Sequence, residues 1–452
     1  MSRTCSPTRI LRPATVIAAL ALAAIAALPE AHAQFVSQQV GGVAIDAQGV
    51  VTKVRVDQHG DLMRFRQAAF QTVPDDLAKN SPMRKVSLRQ LEAAIAELRD
   101  TGKPLSDEIR YLAGLQPIQY VFVYPEQKDI VIAGPGEGWR ISLDGEIVGQ
   151  STNRPVLLLD DLLVALRASD AMRQTGITCS IDPMPEGLSR YQQLMKSVTR
   201  APSDPRPLMD AVEKAMGHQT ITLQGVPETS HFARVLVAAD YRMKRYGMAF
   251  DEPPIQGMPS FLHMLKSSRT GGGLAPRWWL APDYDALVTD GNGLAWEFKK
   301  AGVKAVTEDR IVTATGQLKD TTSKNPLAQK WADNMTAHYD ELAAAETIWG
   351  QLRNCMDLAV LSALISHHDL TGKCGWDMGL LLNPDLMAQR YHAPRAVDTL
   401  ASAVERRGGL ILSASGGVLI DPWPTVDSSE SSPELSDSRN QAAAKSTHWW
   451  WD

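Results

Sequence analysis

The first 33 residues constrain the fold most, because their pattern takes them out of it. Arg3, Arg9 and Arg12 make a positive start, Ala14 to Leu28 is apolar but for Thr15, and Ala31-His32-Ala33 places small residues ahead of Gln34. This is the pattern of a secretory signal peptide cut before Gln34. The apolar run is 15 residues long, whereas a spanning helix needs about 20, so a membrane anchor is not expected. Neither a twin-arginine export signal nor a lipid-carrying Cys at the cleavage point is present. The expected folding unit is therefore residues 34–452, soluble, and secreted or periplasmic.

Apolar residues make up 44% of the chain and charged ones 21%, enough for a sizeable core. Lys plus Arg number 46 against 51 Asp plus Glu, a net charge of −5; the leader carries +2, so the mature chain stands at −7. That balance argues against a nucleic-acid partner held by phosphate neutralisation. Three cysteines follow the leader, Cys179, Cys355 and Cys374. In an oxidising compartment they allow one disulfide, with pairing open, or three buried thiols.

Along the chain, hairpins alternate with helices. Gln38 to Val56 alternates apolar residues about Gly49, as a hairpin does, and its GGVAID recurs as GGVLID at Gly416 to Asp421. Either two ordinary hairpins coincide or equivalent hairpins at the two ends join one sheet. Ser87 and Gln90 form a capping box ahead of Leu88, Leu91, Ile95 and Leu98 on one helix face, and Ser106 opens a shorter helix. Tyr120 to Gly149 reads as a β-meander broken at Pro125 to Lys128, at glycines 134 to 138 and at Asp144-Gly145. In PVLLLDDLLVALRAS an apolar run ends at Asp160, expected to cap the helix that follows. Helices are expected near Glu186 to Val198, Pro207 to Met216 and from Thr229 or Ser230 to the Pro253-Pro254 stop, with strands at RWWLAP, LAWEFKK and VKAVTE. Leu327, Trp331, Met335, His338 and Leu342 line one helix, and Trp349, Leu352, Met356, Ala359, Val360 and Ala363 the next. The two predict a long antiparallel α-hairpin turning near Thr347. MGLLLN and GGLILSASGGVLID read as further strands, and the Ser/Asp/Glu/Ala-rich stretch 426–452, which ends in Trp449-Trp450-Trp451, as a disordered tail.

The pattern predicts an α+β fold, antiparallel hairpins and meanders interspersed with helices. The expected divisions are a leader at 1–33, an N-terminal α+β region at 34–200, a middle α+β region at 208–312, a C-terminal region at 326–425 with the α-hairpin and strands, and the tail at 426–452.

Motif chemistry is sparse. GPGEGW, Gly134 to Trp139, lacks the register and the following helix of a phosphate cradle and reads as a turn, flanked by Glu137 and Arg140 as further candidates for a polar site. No P-loop, G-x-S-x-G, HExxH or C-x-x-C is present. Two groups remain. His367, His368 and Asp369 end the second hairpin helix and could serve a metal or a hydrolytic site. His338 cannot join them, since it lies about 16 Å away along the hairpin axis at 1.5 Å per residue. Arg277, Trp278 and Trp279 are the binding candidates: neighbouring strand residues face opposite ways, so one indole is free to stack on a sugar or a peptide.

The strings KDIVIAGPGEGWRI, RPVLLLDDLLVALR, CSIDP, FARVLVAADYRMKR, PRWWLAP, PLAQKWADNMTAHYDEL and LRNCMDLAVLSALI together resemble an exported bacterial family catalogued only as a domain of unknown function. The resemblance runs from about Gly41 to Trp423. It implies one coherent secreted unit and assigns no activity, ligand or catalytic residue. Two functions fit the sequence. One is a non-catalytic cell-envelope or extracellular protein with a protein or polysaccharide partner. The alternative is a hydrolase with an unrecognised, possibly metal-dependent site. No cofactor is implied.

Overall fold

Strand-forming runs sort into two large sheets. The computed structural model describes residues 40–46, 48–53, 73–142, 144–199, 202, 204–267, 275–300, 302–312, 318–320, 326–386, 390–404, 410–412, 415–444 and 450–452. The expected leader and Trp449 lie outside the described residues. The nine-stranded sheet runs, in spatial order, Val43–Ile45, Val50–Lys53, Ala396–Asp398, His218–Gln224, Ile177–Pro183, Ser415–Ile420, Ala275–Pro282, Val303–Val312 and Leu318–Asp320. The six-stranded sheet runs Ser429–Ser431, Leu287–Thr289, Ala295–Glu297, Tyr120–Tyr124, Asp129–Gly136 and Ser81–Ser87. With the helices between and around them, the class is α+β as the alternation predicts. Pairing is mainly antiparallel. The exceptions are Ser415–Ile420 beside Ala275–Pro282, Ala396–Asp398 beside Val50–Lys53, and Leu287–Thr289 beside Ser429–Ser431.

Residues 39–452 form one compact unit. The regions drawn at 34–200, 208–312 and 326–425 each send strands into the nine-stranded sheet. Val43–Ile45 and Ser415–Ile420 do share that sheet, but as unlike parts. Gly41 and Gly42 turn the chain into an edge strand, whereas Gly416 and Gly417 lie where a central strand is squeezed between two neighbours.

Local signals explain the helix starts. Ser87 Oγ accepts the Gln90 N–H at 3.1 Å to open Leu88–Asp100, and Ser230 Oγ accepts the Ala233 N–H at 3.1 Å to open His231–Gly247. The predicted α-hairpin is present in modified form. Its first arm breaks at His338 into Pro326–Ala337 and Tyr339–Ala345, and its second is Thr347–His367. Tyr339–Ala345 packs back on the long helix, while Pro326–Ala337 turns away to cover Val303–Val312. Thr347–His367 is apolar on all sides, and 18 of its 21 residues are buried, as expected of a helix at the centre of a core. It packs against His231–Gly247 and Leu159–Arg167. Among the described residues, no helix is long and apolar enough to cross a membrane.

Two local expectations are corrected, and of the two cysteine alternatives the buried thiols are found. MGLLLN forms a single helical turn, Gly379–Leu382, pinned when the Glu92 carboxylate accepts the Leu380 N–H at 2.5 Å. The described residues of 426–452 are ordered where a disordered tail was expected: Ser429–Ser431 joins the six-stranded sheet, Leu435–Ala444 is a helix, and Trp450 is only 2% exposed. Polar composition suggests disorder, but the tail needs only backbone pairing and two indoles to hold it. Cys179, Cys355 and Cys374 are all buried and unpaired, so no disulfide links them. They pack as small apolar groups.

Candidate functional site

An edge strand is a row of open backbone donors and acceptors, and Ser81–Ser87 ends the six-stranded sheet. The end of the chain fills part of it. Lys85 N–H donates to Asp452 O at 3.0 Å, Asp452 N–H to Lys85 O at 3.1 Å, and Ser87 N–H to Trp450 O at 2.8 Å, with Trp451 opposite Val86 in antiparallel register. Side chains add to the pairing. Lys85 Nζ lies 2.5 Å from Asp452 Oδ2, and the Arg84 guanidinium sits 5.8 Å from the centre of the Trp451 ring. Both cations are also held by main-chain carbonyls: Lys85 Nζ by Ala442 O at 2.8 Å, and Arg84 Nη2 by Lys79 O at 3.0 Å and Leu77 O at 3.3 Å. A recess of about 630 Å³, part of it open to solvent, adjoins the pairing and is lined by Lys85, Ser87, Tyr124, Asp129, Val131 and Trp450. Burial raises the Asp129 carboxyl, and bonds from the Ser87 hydroxyl and the Arg89 N–H oppose that rise. Sequence reading missed this edge because 445–449 and 450–452 follow a low-complexity stretch. The available signal was the unexplained indole cluster.

The two groups singled out from sequence have other work. Trp278 is buried against Trp331 at 4.2 Å and Phe261 at 5.3 Å between ring centres. Trp279 faces the other side, half-buried, as the strand alternation requires. There the Arg277 guanidinium covers its ring at 4.5 Å, and its indole N–H donates to Glu308 Oε2 at 3.0 Å. The arrangement is a stacked, ion-paired patch with Asp182 3.8 Å from Arg277, in which Trp278 is enclosed and the Trp279 ring is covered by Arg277. At the helix end, Asp369 caps the following turn by accepting the Gly372 N–H at 3.1 Å. His368 stacks on Trp296 at 4.3 Å and reaches the Val426 carbonyl at 3.3 Å, and His367 lies 3.6 Å from Asp427. Burial lowers the His368 pKa below its usual value. Among the described residues, no three His, Cys, Asp or Glu side chains come together as metal ligands.

The titratable groups that are most displaced lie in the interior. Asp161 is buried, and the helix Leu159–Arg167 has no side-chain cap, so Asp160 does not cap it as expected. Instead Asp161 Oδ2 meets His231 Nδ1 at 2.9 Å, with Glu146 nearby. Burial works against a charged imidazole, but Asp161 and then Glu146 outweigh it and push the His231 pKa up to about 9. Glu146 itself accepts the Gly41 N–H at 2.9 Å and the Gln351 amide at 2.7 Å; burial raises its carboxyl. Burial likewise pushes Asp240, beside Lys244, up to about 7, and Asp357, held by the Tyr284 hydroxyl, up to about 7. Both side chains are buried, so the pair suits a structural tie between two helices.

Glu137 carries no open polar site. Burial disfavours its charge, but donors from Ser151 and Thr152, backbone and hydroxyl alike, with Gln116, outweigh that and hold its carboxyl down at about 2. A folded value below the unfolded 4.5 gives stability that is complete above pH 4.5 and lost as pH falls through about 2. Glu137→Gln is therefore expected to cost about 1.5 to 3 kcal/mol at pH 7, with the gap to the parent closing between pH 4.5 and 2. Urea midpoints across that range test this; a gap that does not change with pH would contradict it.

No curated protein and no solved structure matches the chain at a significant level. A family match does exist, narrower than the string resemblance from Gly41 to Trp423, and it covers two strands of the nine-stranded sheet and the helix that carries His231, Asp240 and Lys244. Residues 179–261 match the family described as protein of unknown function (DUF1598), which places this stretch with an uncharacterised family.

Proposed function

We propose that the protein is an exported, non-catalytic binding protein of the cell envelope or extracellular space, and that it takes an extended polypeptide along the Ser81–Ser87 edge. The observation that carries this reading is the antiparallel seating of Trp450–Asp452 on that edge, backbone to backbone, with side chains in fitted places. Added-strand recognition works in this way, with main-chain bonds for affinity and side-chain pockets for selection. A polypeptide fits better than a polysaccharide, because the edge offers alternating N–H and C=O groups and the Trp278 indole is enclosed. The reading is favoured over the hydrolase alternative by the structural employment of His368 and Asp369.

The test is to pan a random ten-residue peptide library against the full chain and against its Trp450→Ala and Lys85→Glu variants. Peptides enriched by the parent or by Trp450→Ala should carry aromatic and acidic residues and should be lost on Lys85→Glu. The reading is wrong if neither of the first two proteins enriches any peptide over the Lys85→Glu background.

A further inference from the structure

The charges of the docking edge are not held by Trp450–Asp452 alone. Lys85 also bonds the Ala442 carbonyl, and Arg84 those of Leu77 and Lys79, none of which belongs to Trp450–Asp452. Positions fixed in advance reduce the ordering cost of any ligand. The tail itself is a small occupant. It pairs three residues along a seven-residue strand, and no second strand lies along Ser81–Met83 among the described residues. The register shifts between Ser81 and Arg84 and Pro82 has no N–H, so a longer ligand that runs past the Asp452 position meets an irregular edge there. An edge that merely needed blocking could use charge or proline. This one uses an indole buried in a recess, a second indole under a guanidinium and a carboxylate on an ammonium group.

Resting on the docking reading above, we infer that Trp450-Trp451-Asp452 is an internal ligand, and that the groove's external ligand is an extended peptide with two adjacent aromatic residues followed by an acidic one. The tail and the ligand compete for one edge. Covalent tethering gives the tail an effective concentration of order millimolar, so an external peptide must either pair over more of the strand or await release of the tail. Three backbone bonds are a restraint that can be displaced.

The probe is a fluorescent peptide of residues 443–452, with its anisotropy followed against the full chain. The parent should bind it weakly. Trp450→Ala with Asp452→Ala, which loosens the tail, should bind it at least tenfold more tightly. Adding Lys85→Glu to that variant should abolish the gain, while a peptide with Lys in place of its terminal Asp should then bind. The charge-swapped full chain, Lys85→Glu with Asp452→Lys, should again exclude both peptides, because its own tail is re-paired. Thermal unfolding of each protein confirms that it is folded, and the Lys-bearing peptide provides a gain of binding that an unfolded variant cannot mimic. Equal binding by the parent and the loosened variant would overturn internal competition while leaving the docking surface standing. No binding by any of the proteins, together with an empty library selection, would overturn both.

Discussion

Gly416→Ala is expected to cost more than about 4 kcal/mol, beyond the usual range for a single methyl group. The strand Ser415–Ile420 lies between Ile177–Pro183 and Ala275–Pro282, in parallel register with the latter, so Gly416 sits opposite Trp278. A Cβ built there would stand 1.7 Å from the Trp278 carbonyl oxygen and 2.7 Å from its nitrogen. Those atoms belong to a backbone paired on its other side to Val303–Val312, so they cannot move without opening a second ladder. The residue also has φ +123, a region that L side chains rarely adopt. Clash and conformational strain act together. Leu419→Ala on the same strand is the control: Leu419 is 38% exposed, and its loss should change stability by about 0.5 kcal/mol or less. Guanidinium denaturation followed by circular dichroism compares the two. A Gly416→Ala midpoint near that of Leu419→Ala would show that the central strand has room the geometry denies.

Asp161→Ala should destabilise the fold by about 3 to 5 kcal/mol near pH 6, because it strands a buried imidazolium with no partner at Nδ1. Asp161→Asn keeps an acceptor and should cost less. The pH dependence separates this pair from simple packing. His231 is raised to about 9 in the fold from 6.5 unfolded, so its contribution is complete below pH 6.5 and disappears as pH rises through 9. Asp240 and Asp357, raised from 3.8 to about 7, act in the same direction over a lower range, pH 3.8 to 7. The parent should therefore lose stability from pH 6.5 to 9, and His231→Phe should remove most of that slope while leaving the part below pH 6.5. Denaturant midpoints at half-unit intervals give the slope directly. An unchanged slope in His231→Phe would show that the imidazole is neutral in the fold.

Features that depend on a few adjacent residues were legible from sequence, and those that depend on distant ones were not. Ser87 with Gln90 and Ser230 announce helix starts because a cap is satisfied within three residues. The alternation of Trp278 and Trp279 is equally local and is met. Which face would be covered was decided by Phe261 and Trp331, elements that no spacing rule brings to that strand. The Asp161–His231 tie spans 70 residues, so Asp161 read as part of a helix start. MGLLLN has the composition of a strand but is committed to a turn of helix by Glu92. Of the docking site, only the indoles were visible beforehand, because the edge they seat on begins more than 350 positions earlier, with Lys85 bonded to Ala442 across 357 residues. No local pattern carries that pairing.

The position of Ser415–Ile420 has a consequence for the order in which the molecule can assemble. One of the last strands to be synthesised sits in the middle of the large sheet, between strands that begin near residues 177 and 275. Until it arrives, Ile177–Pro183 and Ala275–Pro282 each keep an open side, and the loops to be closed are long, with the entropic penalty that length brings. Folding dominated by such non-local pairing is slow. A chain emerging from a ribosome, or threading through a translocation pore, would thus remain unfinished until about residue 420 is free. The late strand postpones closure of the nine-stranded sheet until all of its other strands have been made.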